Sequence, residues 1–547
     1  MDSIIKRKIR KLFNHPIDFI RDLKILRKYT WKKAPIPVQA KSENAKNINR
    51  ETKKDKVPLQ PKVVVPQKPA TQDDFFREMQ IGVNLIHKFS LNYPVNSLRW
   101  KGKILLWPAI RFYLTLVSVI YSRGGLKSGR VFQPFPNIYW RRLYLKDNQA
   151  YDVEDYIPKE KYDFLVFSGN KSISWVEENG KIYDRLLDPL IESLERYGKT
   201  KKLLVVNSSG KLEHKFNFQP DFLLFPIQYK VNNAYAVDEF DYFASCIVKH
   251  FKKYNLTASD IGYFIDIFLY QYFNYIDLLK KMQPKAIFFF PIDYNASLIM
   301  AAHALGIHTV DVQHGNMIGY YLQYNNWDEQ PKDGYSLFPD TVLTWSKREK
   351  EHIYKNFNNV DAIIFGYPWL DIVENTNYIQ NKKLEKFCSH FKYIIIVSLS
   401  EHKFIPKIIE DIANDYRSLE MNIGFIFKRN PKRVNTVIPK LKNMYTDDNI
   451  TYSSFLSLTK YANLHITESS SCLYEADYLG LNTIVIGDNW KLHFKDLVES
   501  ERIFLINSVD EFYNIFEKAV NFCHFPRLID NKSNEFDDFM KKIVTRS

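Results

Sequence analysis

Cysteine is scarce in this chain of 547 residues. The four present, Cys246, Cys388, Cys472 and Cys523, lie far apart, and none forms a Cys-x-x-Cys pair. A disulfide framework and a thiolate zinc site are therefore not expected, whereas a reducing cytoplasm is. The basic first 33 residues are not followed by an apolar h-region or a small-residue cleavage site, so no secretory signal is expected. The phosphate loop G-x-x-x-x-G-K-[ST] is missing, as is G-x-G-x-x-G after a first strand. H-E-x-x-H and G-x-S-x-G are missing too. These absences argue against a kinase, a dehydrogenase, a zinc hydrolase and a lipase. No Asp-x-Asp pair of the metal-dependent sugar transferases occurs, and Asp238, Glu239 and Asp241 have the wrong spacing for one. No repeat of 20–50 residues is found.

What is present is a large, ordinary globular composition: 45% hydrophobic, 25% charged and 15% aromatic. That suffices for two or three domains with a substantial core. The net charge of +15 is concentrated at one end. Residues 1–70 carry 19 Lys/Arg against 6 Asp/Glu, leaving 58 against 56 for the rest. The protein reads as a nearly neutral body with a basic arm.

In the arm, Ile5, Ile9, Leu12 and Phe13 share one helical face among basic residues. After Pro16, the residues Phe19, Ile20, Leu23 and Leu26 repeat the pattern. Neither piece can span a bilayer. Residues 1–34 are expected to lie on an anionic membrane surface. Docking on the body and binding to nucleic acid are the alternatives, and no nucleic-acid motif supports the latter. Residues 35–70, rich in Pro, Lys, Asn and Gln, read as a flexible linker. Residues 71–150 read as a helical, membrane-proximal segment, with a helix restarting at Asp73 or Asp74. Within it Ile104–Tyr121 is the most apolar stretch, interrupted by Pro108 and Arg111. A buried or interface-embedded helix is expected rather than a full span.

From Tyr151 short apolar runs alternate with amphipathic helices. Strands are expected at Phe164–Phe167, Leu203–Val206, Phe222–Pro226, Ala286–Phe290 and Thr309–Val312. A second series is expected at Thr341–Thr344, Ala362–Phe365, Tyr393–Val397, Ile423–Phe427, Leu464–Thr467, Thr483–Ile486 and Phe504–Ile506. Continuous apolar strands spaced by helices predict α/β architecture: two doubly wound, Rossmann-like domains, 151–335 and 336–547, with a cleft between them.

Ligands of such sheets bind beyond the carboxyl ends of the strands, so the polar residues there are the candidates. In Asp311-Val312-Gln313-His314-Gly315 a strand ends in a polar turn made by Gln313 and Gly315. Gly315 would allow a close backbone approach. His314 would face the cleft and move a proton near neutral pH, or else merely cap a turn. Asp311 and Asp293 join it as catalytic candidates, and Asp293 alternatively caps a helix. In Thr467-Glu468-Ser469-Ser470-Ser471-Cys472-Leu473-Tyr474-Glu475 a strand runs into three serines and a helix. Ser469, Ser470 and Ser471 are placed to hold a phosphate on exposed amides, and Glu475 a ribose. Plain serine capping is the alternative. Lys428 and Arg429 after another strand could clamp a leaving phosphate, or form an ordinary basic loop. Ser398, Gly366 and Tyr367 at further strand ends complete the donor-binding candidates.

The chain from about Tyr151 resembles the GT-B glycosyltransferases of bacterial capsule and lipopolysaccharide assembly. The residues that carry this are Asp311–Gly315 (DVQHG), Leu343–Ile353 (LTWSKREKEHI), Phe365–Asp371 (FGYPWLD) and Thr467–Gly480 (TESSSCLYEADYLG). The basic arm is similar to that of capsule glycosyltransferases. The Gln-His-Gly turn is similar to the Trp-His-Gly turn of polyol-phosphate transferases of teichoic acid synthesis. The chain departs at Lys428-Arg429-Asn430-Pro431, where related enzymes often read Lys-Pro-His-Pro. The resemblance implies a cytoplasmic enzyme on the inner face of the membrane. It would transfer a sugar from a nucleotide-sugar donor to a lipid-linked glycan, without metal or other cofactor. A CDP-polyol phosphotransferase and a non-catalytic assembly scaffold are the alternatives.

Overall fold

The computed structural model describes residues 72–545 apart from 123–137, 146–149, 153–160, 170–174, 179–180, 206–215, 229–236, 320–321, 375–380, 399–404, 430–436, 448–449, 451–454, 489, 523–526 and 532. The expectations for the arm and linker, 1–34 and 35–70, lie outside the described residues.

The strands β1 (Arg99–Trp100), β2 (Ile104–Leu105) and β10 (Val237–Asp238) form a small antiparallel sheet, and β6 (Trp175–Glu178) and β7 (Lys181–Asp184) form a hairpin. The first large sheet contains β3 (Ile138–Leu145), β4 (Ala150–Asp152), β5 (Phe164–Gly169), β8 (Thr200–Val205) and β9 (Phe222–Gln228). It continues with β11 (Ala286–Phe289), β12 (His308–Val312), β13 (Thr341–Thr344) and β14 (Asp361–Ile364). Their order is β14-β13-β12-β11-β5-β8-β9-β3-β4. It is parallel from β14 to β9, and β3 and β4 close it antiparallel. The second sheet contains β15 (Tyr393–Ser398), β16 (Ile423–Lys428), β17 (Met444–Tyr445), β18 (Leu464–Thr467), β19 (Thr483–Ile486) and β20 (Phe504–Ile506). It is wholly parallel, in the order β17-β16-β15-β18-β19-β20.

These are the two doubly wound α/β lobes the apolar runs predict. Both faces of the first sheet are covered. Leu165, Phe167, Ile287 and Phe289 pack under the helices Trp107–Ser122 and Ala258–Met282. Phe164, Val166, Phe288 and Val310 point the other way, into a core shared with Leu473, Tyr474 and the C-terminal helix Glu535–Thr545. In the second sheet Ile395, Val397, Phe425 and Phe427 face one core and Ile394, Ile396 and Ile426 the other. Each large apolar side chain so buried contributes roughly 1.5–3 kcal/mol.

The sheet order moves the expected boundary at residues 335 and 336. β13 and β14 pair with β12 and so belong to the first lobe. The C-terminal helix also returns to that lobe. There the Glu535 carboxylate accepts from the Ile364 amide at 2.9 Å and Lys350 at 2.7 Å, and Tyr197 donates to Asp537 at 2.6 Å. An apolar run does not encode which sheet it joins, because that is set by pairing between distant segments.

The apolar stretch Ile104–Tyr121 is split. Its first two residues are β2, and the helix Trp107–Ser122 is packed inside the first lobe. Arg111 within it is fully buried, paired with Glu329 at 2.9 Å and bonded to the Asn325 and Asn326 carbonyls. Its guanidinium lies 3.7 Å from the centre of the Trp327 ring. Among the described residues, no helix is long and apolar enough to cross a membrane.

Candidate functional site

The polar residues singled out at strand ends fall into two groups, one per lobe. In the first, β11 leads into the helix Ile292–Ala304, whose first turn holds Asp293. Gln323 donates to Asp293 Oδ2 at 3.0 Å, and Tyr324 donates to Asp311 Oδ2 at 2.6 Å. The other oxygen of each carboxylate is buried with no hydrogen-bond partner. Burial pushes Asp293 up to about 6, against the hydrogen bonds that favour its charge. Burial, reinforced by Asp293, holds Asp311 well above the ordinary range.

His314 stacks on Phe290 with ring centres 5.9 Å apart, and its Nδ1 is buried and unpartnered. Burial lowers its pKa to about 4. The expected imidazole titrating near neutrality is thus not what the fold builds: the carboxyl of Asp293 titrates nearer to it, and His314 is neutral at pH 7. Gln313 uses both ends of its amide, accepting from the Trp345 amide at 2.7 Å and donating to the Gly315 carbonyl at 2.9 Å. It is the strut of the turn. A Cβ on Gly315 would meet nothing within 4 Å, so the protein itself does not require glycine there.

In the second lobe, Ser469–Ser471 join β18 to the helix Cys472–Tyr478. The Cys472 amide donates to Ser470 Oγ at 3.3 Å, and the Leu473 and Tyr474 amides donate to the Ser470 and Ser471 carbonyls. The first amides of the helix are therefore already engaged, unlike the exposed ones expected. Gly480, at φ +85°, closes the helix: its amide donates to the Asp477 carbonyl and the Leu481 amide to that of Ala476.

Glu475 is buried and faces the first lobe. Its Oε1 accepts from Arg185 Nη1 at 3.0 Å, and its Oε2 is buried with no partner. Burial raises its pKa, with Arg185 and Lys428 pulling it back. Lys428, at the end of β16, is buried, donates to the Ile450 carbonyl at 3.1 Å, and is lowered by burial to about 8. Arg429 follows it, half-buried.

Three candidates prove to be internal ties. Ser398 Oγ bonds His465 Nε2 at 2.7 Å, and His465 Nδ1 bonds Thr483 at 3.0 Å, crossing three strands of the second sheet. Gly366 has φ +74°, and a Cβ there would lie 2.6 Å from the Asp530 carbonyl. The Tyr367 amide donates to Asn531 at 2.5 Å, and its ring stacks on Trp345.

The sequence reading missed Arg185, for which only a strand-to-helix charge flanked by Asp184 and Asp188 was visible. It also missed the Arg348 guanidinium, which reaches Asp496 at 2.6 Å and the Tyr474 hydroxyl at 2.9 Å. Among the described residues, no group of three His, Cys, Asp or Glu is placed to hold one metal ion.

No model of a known protein family matches this sequence, and no curated protein matches it. Solved structures are similar to about two thirds of the chain. UDP-GlcNAc 2-epimerase of Methanocaldococcus jannaschii, in complex with UDP-GlcNAc and UDP, is 15% identical with a TM-score of 0.42, over 69% of this chain and 99% of its own. The glycotransferase of kitacinnamycin is 9% identical with a TM-score of 0.41, over 70% and 95%. MurG of Acinetobacter baumannii is 11% identical with a TM-score of 0.34, over 66% and 91%. At these identities the likeness does not say which reaction this chain performs.

Proposed function

We propose that the protein is a GT-B glycosyltransferase that moves a sugar from a nucleotide-sugar donor to a lipid-linked glycan in bacterial surface polysaccharide synthesis. The observation that carries this reading is that each lobe holds its own polar group at its strand ends, while Arg185 of the first lobe pairs with Glu475 of the second at 3.0 Å. A half-buried carboxylate, Asp293, and a buried one, Asp311, stand in the first lobe; a buried lysine and carboxylate, Lys428 and Glu475, stand in the second. Strand ends of facing doubly wound lobes are where such sheets bind ligands.

In the reaction, the bond from the anomeric carbon to the donor diphosphate breaks and one from the acceptor oxygen forms. Asp293, ionised at neutral pH, takes the acceptor proton. Lys428 and Arg429 stabilise the departing diphosphate without a metal ion, and Glu475 accepts from donor hydroxyls. Residues 1–34 hold the enzyme on the inner, anionic membrane surface, where a lipid-linked acceptor resides.

The test is product analysis with a panel of nucleotide sugars and CDP-glycerol, each with and without a lipid-linked glycan. The expected result is glycan extension by one sugar with one nucleoside diphosphate released. Extension from CDP-glycerol alone would reassign the protein to CDP-polyol phosphotransfer. Isomerised donor without extension, or no reaction with any donor, would overturn the transferase reading.

A further inference from the structure

Arg185 is separated from Glu475 by 290 positions, yet the two form an ion pair at 3.0 Å between lobes. The turn that presents the arginine is heavily anchored. Asp184, fully buried, accepts from the Leu186 and Leu187 amides through Oδ1 and from the Ser168 hydroxyl through Oδ2. The Asp184 amide in turn donates to Asp188 Oδ2 at 3.1 Å, and Asp188 Oδ1 pairs with Lys202 Nζ at 2.7 Å, both side chains 3% exposed. Ser168 belongs to β5 and Lys202 to β8, so the turn is tied to the middle of the first sheet.

Burying charges at this density is costly unless every member is paired, and replacing such a network with apolar residues is often neutral for stability. Two buried aspartates and a buried lysine under a single turn therefore favour a positional role. What they position is a planar guanidinium, suited to phosphate oxygens through paired hydrogen bonds. It is directed at a buried carboxylate whose Oε2 has no partner, next to Lys428. Glu475 has the charge and fork shape to stand in for a phosphate.

We propose that Arg185 is a phosphate-binding residue lent by the first lobe to the donor site of the second, with Glu475 as its internal counter-ion until a nucleoside diphosphate arrives. This rests on the donor reading of the second lobe given above. On binding, the outer phosphate takes the guanidinium and donor hydroxyls take the carboxylate, so the lobes are joined through the ligand instead of through the ion pair. No covalent bond changes in this exchange.

The experiment is calorimetric titration of UDP, CDP, GDP and dTDP, each against its monophosphate, into the full-length protein. The variants are Arg185→Ala, Arg185→Lys, and the double variant Arg185→Ala with Glu475→Gln, with melting temperature measured in parallel. The wild type should prefer the best diphosphate over its monophosphate. Arg185→Ala should shrink that preference about 10–100-fold while monophosphate affinity changes little. Arg185→Lys should recover part of it. The double variant, which no longer buries an unmatched carboxylate, should recover melting temperature but not the preference. An unchanged preference in Arg185→Ala, or equal losses for both nucleotides that the double variant restores, would overturn the inference while leaving the donor site standing. A wild type that binds none of the eight nucleotides would overturn the donor reading and the inference together.

Discussion

The hydroxyl of Tyr474, in the second lobe, donates to Oδ1 of Asn316, two residues after His314 in the first, at 2.8 Å. The same hydroxyl lies 2.9 Å from Arg348 and 3.3 Å from Glu349, both on the helix Lys347–Asn356. Asn316 donates in turn to the His493 carbonyl at 2.7 Å. The turn bearing His314 and the helix bearing Glu475 are thus held to each other directly. Side chains on either one are placed relative to the other by this contact.

Tyr474→Phe should therefore destabilise the protein by about 1–3 kcal/mol, since it strands buried polar partners without removing the ring. Asn316→Ala should cost less. A double-mutant cycle by denaturant unfolding should return a coupling of at least about 0.5 kcal/mol. Additive losses would mean that the two lobes do not communicate through this hydroxyl.

Asp293 should set the acid limb of the pH–rate profile. Its carboxyl is at about 6 against an ordinary 3.8, so its ionised form gives way as pH falls through 6. Asp293→Asn should lower turnover by roughly 10²–10⁴-fold and erase that limb. His314→Ala should keep it, because the imidazole at about 4 titrates elsewhere. The stability sign is the opposite of an ordinary ion pair. A raised carboxyl favours the protonated folded state, a stabilisation present below pH 3.8 and lost as pH rises through 6. Asp293→Asn should thus melt no lower than wild type at pH 7, and a lower melting temperature would show that the carboxylate supports the fold.

Lys428 should impose a basic limb on donor affinity. With its pKa lowered to about 8, its charge is lost through pH 8, well before that of a surface lysine. Nucleoside diphosphate affinity should fall above that pH, and Lys428→Arg should move the fall beyond the accessible range. A titration series that shows the same basic limb in both proteins would assign it to another group.

Gly366→Ala should act on stability before ligand binding. The position has φ +74°, and the new methyl would strike the segment carrying Asp530 and Asn531. A loss of about 1–3 kcal/mol is expected from strain at such a position. Melting temperature and calorimetry together check this: weakened donor affinity in a protein of unchanged stability would return Gly366 to the donor site.

Local pattern alone determined much of this protein. Thr341–Thr344, Leu464–Thr467, Thr483–Ile486 and Phe504–Ile506 are strands at the bounds expected from their apolar runs. The reason is that strands in a sheet covered on both faces are rich in apolar residues, with the few polar ones, such as His465, paired inside the sheet. Gly480 marks a helix end because its left-handed φ is intrinsic to glycine. β3 and β4 and the hairpin β6–β7 were not legible, since Arg142, Glu177 and Lys181 break the apolar signal. Only tertiary structure decided that β13 and β14 complete the first sheet, since pairing depends on partners far along the chain. It likewise gave Ser398 to His465 and Gln313 to Trp345, and set Arg185 against Glu475. It placed the titration of Asp293 near neutrality and that of His314 far below it, because the desolvation that shifts both exists only once the chain has folded around them.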